Sequence, residues 1–279
     1  MHTIPATRKV TLRLRAPSER NSEQRNNDFR SVFRNGITEE LHLRKIRPCD
    51  PHAMTDVADG LSSSLSTIRV LELEFHWCTP FIMTEDPTGP YWSKWQRLAH
   101  AIASSTTLET VTVRFDSDNE FPDNDKSTKL DCFMFLLAER MADHAKSSAL
   151  KRLSVGPCPQ HFEDPKEKSP RALFEKYNEM LEVHTSIEEL DIDDDDELSW
   201  YIEEMDYYRL SNQKEMLLKL NRNGRKRFFR NPSKIALEEW VTLFQQLDDS
   251  QCINYYLTRF PWLINTGYEI KQESEDDED

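Results

Sequence analysis

The chain has 279 residues, of which 37% are hydrophobic and 31% are charged, so it can form a sizeable core beneath a highly polar surface. No run of residues approaches the roughly 18 apolar residues that a membrane-spanning helix needs. The formal net charge of -14 repels phosphate backbones and argues against general nucleic-acid binding.

The charges and the cysteines bear on where the protein works. Residues 1–47 carry 11 Lys and Arg against 5 Asp and Glu, a local charge of +6, so the remainder carries -20. The five cysteines are widely spaced, without a CxxC pair, at Cys49, Cys78, Cys132, Cys158 and Cys252. This spacing is typical of reduced thiols and argues against a disulfide framework or a structural zinc site. Because the N-terminus also lacks the apolar core of a secretory signal, we expect a cytoplasmic or nuclear protein without a cofactor.

One short pattern recurs along the first two thirds of the chain. An apolar residue is followed by two variable positions and then by two apolar residues separated by one. Copies begin at Ile68, Leu108, Leu150 and Ile187, and looser copies include Leu41 and Val10. The alternation predicts short strands with one buried face. Offsets of 30 to 42 residues between copies are too long for hairpins and leave room for one helix between strands.

Apolar residues at helical spacing fill three of these intervals. They are Trp92, Trp95, Leu98, Ala99 and Ile102, then Leu130, Phe133, Met134, Leu137 and Met141, then Leu173, Phe174, Tyr177, Met180 and Leu181. A shorter stripe contains Phe29, Val32 and Phe33, and segment 52–64 is the weakest helix because Gly60 interrupts it. Strand–helix units with parallel strands cannot bury their own apolar edges and must stack. The sequence therefore predicts an α/β curved solenoid, with parallel strands on the concave side and helices on the convex side.

The recurring pattern resembles leucine-rich repeats of the ribonuclease-inhibitor type over roughly residues 7–196. At the turn position where that family places Asn or Cys, Cys158 matches. The resemblance implies a protein interaction scaffold. An alternative follows from the Ran GTPase-activating proteins, which pair such repeats with an acidic tail, and would make this chain a regulator of a small GTPase.

The end of the chain resembles the closing segment of many leucine-rich repeat proteins of microalgae. The matching residues are Leu220, Asn221, Arg222, Gly224, Arg225, Trp240, Tyr255, Tyr256, Leu257 and Pro261. Two helical faces lie here, one with Trp240, Val241, Phe244 and Leu247 and one with Ile253, Tyr256, Leu257 and Phe260. Since the last repeat of a solenoid needs its open edge covered, we expect a solenoid over 1–200, a helical C-terminal cap over 201–265 and a disordered acidic tail over 266–279.

The repeat register also predicts which side chains face the concave surface. Strand residues that flank the buried pair point outward by the period-2 rule. They are Glu40, His42, Arg44, Glu72, Glu74, Thr110, Thr112, Arg114, Arg152, Ser154, Glu189, Asp191 and Asp193. The last three belong to the acidic run 188–206, which has no Lys or Arg. That run is either a docking patch for a protein partner with a basic surface or a solvated acidic edge, and calcium-loop spacing is absent from it.

A basic run at 221–227, continued by Arg230 and Lys234, has two interpretations. It could contact phosphates or serve as a nuclear import signal, or its arginines could form salt bridges with the acidic stretch just upstream. The net acidity of the chain favours the second. Dinucleotide-loop, phosphate-loop, nucleophile-elbow and HExxH motifs are all missing, and a pair between Cys78 and His42 or His76 has no activating third group. We therefore predict a non-enzymatic interaction scaffold.

Overall fold

A single parallel sheet follows the order of the chain. The computed structural model describes residues 9–13, 32–33, 38–46, 51–63, 66–76, 92–116, 127–156, 170–192, 204–230 and 232–264. Its six strands are β1 (Lys9–Arg13), β2 (Glu40–Ile46), β3 (Val70–His76), β4 (Thr110–Asp116), β5 (Arg152–Gly156) and β6 (Glu189–Ile192). They lie side by side in the order β1-β2-β3-β4-β5-β6, so each strand pairs only with its neighbours in the sequence.

Helices alternate with the strands and form a second layer. The helices between strands are α1 (Pro51–Leu61), α2 (Trp92–Ser104), α3 (Ser127–Asp143) and α4 (Pro170–Val183). Between β1 and β2, the described residues Val32 and Phe33 are also helical. Because α1 contacts α2, α2 contacts α3 and α3 contacts α4, the helix layer runs in the same order as the sheet.

Four more helices follow β6 within the described residues. They are α5 (Glu204–Arg222), α6 (Arg225–Arg230), α7 (Leu237–Leu247) and α8 (Ser250–Arg259), with a short 3-10 turn at Pro232–Lys234. Helix α5 packs on α4 and so extends the helix layer beyond β6. No helix in the described ranges is both long and apolar enough to cross a membrane.

The predicted strand positions share one row of the sheet. The Cα partners across the strands are Val10, Leu41, Leu71, Val111, Leu153 and Leu190. All but the half-buried Val10 are at most 6% exposed, and they join one core cluster with the helix residues. A buried aliphatic side chain of this kind contributes about 1.5–3 kcal/mol, so this row is a main source of cohesion between the two layers.

Small hydroxyl residues link consecutive strand–helix units. Thr67, just before the first apolar position of its unit, donates a 2.9 Å hydrogen bond to the carbonyl of Thr38. Ser186, at the equivalent position, donates a 3.4 Å bond to the carbonyl of Ser148. Each hydroxyl thus satisfies a backbone acceptor in the preceding unit.

The predicted helix stripes are buried with few exceptions. Every described member of the three long stripes is buried except Trp92, which is half-buried. Helix α1 forms over Pro51–Leu61 and includes Gly60. The ring of Phe33 lies where a side chain at position 60 would project, so the packing requires glycine there. The prediction for α7 was partly wrong: Val241 is 48% exposed and Leu243 takes the buried position.

Aromatic rings fill the space between α6, α7 and α8. The ring centroid of Trp240 lies 4.7 Å from that of Phe228, 5.6 Å from that of Tyr256 and 5.5 Å from that of Phe260. Phe228 is buried and Phe229 is half-buried, so both phenylalanines of the basic run serve packing, as expected. These rings extend the core cluster of the sheet and helix layer into the C-terminal helices.

Candidate partner-binding face

One face of the sheet carries polar side chains instead of the apolar rows that meet the helices. We call it the open face; its members are Lys9, Thr11, Glu40, His42, Arg44, Glu72, Glu74, Thr110, Thr112, Arg114, Arg152, Ser154, Glu189 and Asp191. These residues alternate with the buried positions and, His42 apart, are half-buried or exposed. All the strand residues predicted for partner binding lie here except Asp193, which is outside the described residues.

Charges on the β1–β3 half of the open face are paired across neighbouring strands. Lys9 Nζ lies 3.8 Å from Glu40 Oε2, and Arg44 Nε lies 3.8 Å from Glu74 Oε2. Exposed pairs of this kind contribute about 0.2–1 kcal/mol each. Their larger effect is to place a cation beside Glu40 and another beside Glu74, which weakens the field that these two carboxylates offer a partner.

The most enclosed polar pair of the open face joins His42 to Glu72. His42 Nδ1 is hydrogen-bonded to the Glu72 carboxylate, and the two side chains are only 11% and 17% exposed. His42 Nε2 lies 3.9 Å from the Glu40 carboxylate, beyond hydrogen-bond distance. The sequence had suggested Cys78 or His76 near His42. Cys78 and the side chain of His76 lie outside the described residues, and the neighbour that the structure gives His42 is a carboxylate.

Charges on the β4–β6 half lack partners of opposite sign. Arg152 Nε donates to the Thr110 hydroxyl at 3.1 Å, and the Ser154 hydroxyl donates to Asp191 Oδ2 at 3.2 Å. Among the described residues, no carboxylate lies within ion-pair distance of Arg114 or Arg152, and no cation lies within it of Glu189 or Asp191. This half therefore presents a positive strip on β4 and β5 beside a negative edge on β6.

The acidic run 188–206 divides into parts with different roles. Glu189 and Asp191 belong to the open face, whereas Asp206 lies in α5 and holds the helix layer together. Asp206 Oδ2 is 2.5 Å from Arg171 of α4, and its other oxygen is 3.4 Å from Arg209. Residues 193–203 are not among the described residues, so Glu189 and Asp191 are the residues of this run that the structure places on the open face.

The motif that resembles the algal closing segment fastens α5 to the turn before β6. Asn221 Nδ2 donates to the backbone carbonyls of His184 at 3.1 Å and Ile187 at 2.6 Å. Arg222 Nε donates to the carbonyl of Glu188 at 2.8 Å. These bonds satisfy backbone acceptors that would otherwise be unpaired at the end of the sheet.

We call the contact of Asn221, Arg222, Arg225 and Tyr255 with residues 181–188 the seam. Arg225 is a fully buried cation within it. It donates hydrogen bonds to the carbonyl of Leu181 and, at 3.3 Å, to the hydroxyl of Tyr255. That hydroxyl donates in turn to Glu182 at 3.0 Å. Burial lowers the pKa of Arg225, and the nearby Tyr255 and Glu182 oppose that effect. Burial likewise raises the pKa of the Tyr255 hydroxyl.

The expectation that the arginines of the basic run pair with the acidic stretch upstream was wrong for the described residues. Arg222 bonds a backbone carbonyl, and Arg225 is buried against Leu181 and Tyr255. Arg227 pairs with Glu239, which lies downstream in α7. The reason is geometric: within the described residues, Arg222 and Arg225 lie against the end of α4 and the residues before β6, so they bond the backbone carbonyls of Glu188 and Leu181.

His184 sits at the centre of the same seam. It is fully buried, and neither ring nitrogen has a hydrogen-bond partner within the described part of the chain. Burial lowers its pKa from 6.5 to about 4, and the charges of Lys226 and Arg225 act in the same direction. The imidazole is therefore neutral at physiological pH.

Comparison with known proteins identifies no relative of this chain. No family model, curated protein or solved structure matches the chain. Across the described ranges no group of three or more His, Cys, Asp or Glu residues could hold a metal ion. The fold defines the class of protein: α/β, with one six-stranded parallel sheet and a helix layer that follows the order of the strands.

Proposed function

We propose that the chain is a leucine-rich-repeat-like interaction scaffold that binds a basic surface of a protein partner through the β6 side of the open face. The sequential strand–helix order and the polar face support the scaffold. The choice of partner rests on one observation: among the described residues, no cation lies within ion-pair distance of the carboxylates of Glu189 and Asp191, whereas those of Glu40 and Glu74 each have one.

Electrostatics explains why this difference selects a surface. A carboxylate already beside a lysine or arginine gains little from a second cation, but an unpaired, exposed carboxylate keeps its full field. Such a field steers a basic partner and speeds association more than it tightens the final complex. Arg114 and Arg152, next to the negative edge, would repel the same partner if it bound in the opposite register, so they orient it.

The experiment compares two double variants that change the net charge equally. Glu189→Lys with Asp191→Lys reverses the β6 edge, and Glu139→Lys with Glu179→Lys reverses two exposed carboxylates on helices α3 and α4. The partner is first captured on the immobilised full chain at low salt, identified, purified and then titrated against each variant. We expect the β6 variant to lower the association rate at least tenfold and to flatten its salt dependence, with little change for the helix variant.

Two results would contradict the proposal. One is a partner with an acidic surface whose binding the β6 reversal strengthens. The other is a partner that binds the wild type and both variants with equal association rates, which would remove β6 from the interaction.

A further inference from the structure

Some cations of the basic run bond to other parts of the protein, whereas others have no such partner among the described residues. Arg222 and Arg225 bond backbone carbonyls, and Arg227 pairs with Glu239. Lys226, Arg230 and Lys234 are exposed, and none has an ion-pair or hydrogen-bond partner among the residues that the structure describes. The protein's packing therefore does not account for these three charges.

The leftover cations surround one cleft. Its volume is about 520 Å³, and its lining is Gly224, Lys226, Arg227, Arg230, Lys234 and Ile235. Four of these six residues are cationic and none is acidic. Gly224 has a φ of 79°, the left-handed conformation that glycine adopts most readily. This turn between α5 and α6 lets Lys226, Arg227 and Arg230 approach the 3-10 turn that carries Lys234.

Like charges held together in this way repel one another unless an anion joins them. The net charge of the chain is strongly negative, so this cluster of four cations has the opposite sign to the chain as a whole. Arginine binds phosphate oxygens through two parallel hydrogen bonds, and lysine adds a compact point charge. A phosphate group carries about -1.5 to -2 charge at neutral pH, so two of them would match the three cations that have no described partner, with Arg227 shared between the anion and Glu239.

We propose that this cleft binds a small anion that carries at least two phosphate groups. Its volume lies in the range of about 300–1,000 Å³ that is usual for small-molecule sites. Phe228 and Phe229 are engaged in the aromatic core, and among the described residues no aromatic ring lines the cleft. A base would have no stacking platform there, so the ligand is a compact polyphosphate and not a nucleotide. This site lies apart from the open face and does not depend on the proposed function.

Calorimetric titration of the full chain with pyrophosphate tests the site. We expect saturable binding at one site, weakened at least tenfold by Arg230→Gln with Lys234→Gln. The matched control, Lys146→Gln with Lys151→Gln, removes two exposed cations elsewhere and should change the affinity less than twofold. Thermal unfolding of both variants checks that the fold is kept, since exposed substitutions usually change stability by less than about 0.5 kcal/mol.

A second variant tests the part played by Arg227. Glu239→Gln removes the carboxylate that competes for this arginine and should tighten pyrophosphate binding several-fold, while Glu179→Gln, at another exposed carboxylate, should not. The proposal is overturned if pyrophosphate does not bind. It is equally overturned if the Arg230→Gln with Lys234→Gln variant and the Lys146→Gln with Lys151→Gln control weaken pyrophosphate binding to the same extent. It is also overturned if inorganic phosphate or citrate binds as tightly as pyrophosphate, because a second phosphate group would then add nothing to the affinity.

Discussion

The side-chain amide of Asn221 donates a 2.6 Å hydrogen bond to the backbone carbonyl of Ile187, two residues before the last strand begins. The same amide nitrogen reaches the carbonyl of His184 at 3.1 Å. One buried side chain of α5 thus satisfies two acceptors at the end of the sheet.

We expect Asn221→Ala to lower the free energy of unfolding by about 1–3 kcal/mol, the usual cost of leaving buried acceptors unpaired. Urea denaturation measures the change. Asn212→Ala, on an exposed part of the same helix, should change stability by less than about 0.5 kcal/mol. Equal effects of the two substitutions would show that the Asn221 bonds contribute nothing beyond helix propensity.

Arg225→Lys is expected to destabilise the protein by about 2 kcal/mol, because an ammonium group cannot reproduce the planar fork that reaches Leu181 and Tyr255 together. Tyr255→Phe removes only the hydroxyl between Arg225 and Glu182 and should cost less, about 1 kcal/mol. Thermal unfolding of the two variants and of Lys226→Gln, the exposed neighbour, checks this order. An Arg225→Lys variant as stable as Lys226→Gln would contradict it.

The buried His184 predicts a loss of stability in acid. Its pKa in the folded protein is about 4, below the ordinary value of 6.5. Between these pH values the imidazole binds a proton in the unfolded chain but not in the folded chain. The contribution of His184 to the free energy of unfolding is therefore fully present above pH 6.5 and is lost as the pH falls toward 4. The loss from this one residue is about 3 kcal/mol by the end of the window.

His184→Leu should remove this part of the pH dependence, because leucine does not titrate and the imidazole nitrogens have no hydrogen-bond partner among the described residues. Unfolding free energies at several pH values between 4 and 7 provide the comparison with the wild type. His100→Gln, at an exposed histidine of α2, should leave the wild-type slope in place. A His184→Leu variant with the wild-type slope would place the acid sensitivity elsewhere.

Gly60 should resist replacement although it lies in a helix. A Cβ at this position would overlap the ring of Phe33, and overpacking of a core costs about 1–3 kcal/mol. The better helix propensity of alanine returns at most about 1 kcal/mol. We expect Gly60→Ala to be destabilising on its own and less so in a Phe33→Leu background, a coupling that a double-mutant cycle on unfolding free energies measures.

The strands could be predicted because their evidence is local and repeated. Leu41, Leu71 and Val111 recur with the same alternation, and the structure places them as direct partners across the sheet. The same register makes His42 a neighbour of Glu72, although only the structure shows that they bond. Regulation of a small GTPase, which the repeat resemblance implied, stays a prediction.

The seam could not be predicted because its contacts join positions far apart in the chain without any recurring pattern. Asn221 meets a carbonyl 34 residues earlier, and Tyr255 meets Glu182 at a separation of 73 residues. A conspicuous run of arginines suggested charge pairing, but burial and backbone acceptors decided where Arg225 lies. Val241 was predicted on the buried side of α7 because the sequence pattern of a short helix does not fix its rotation about the helix axis. The packing of α7 on Tyr256 and Phe228 fixes that rotation.

The order of the sheet has a consequence for how the chain acquires its shape. Since each described strand pairs only with its neighbours in the sequence, each newly synthesised segment can dock on the one before it. Such a molecule can assemble progressively from its leading end while still emerging from the ribosome, with little entropy lost in closing long loops.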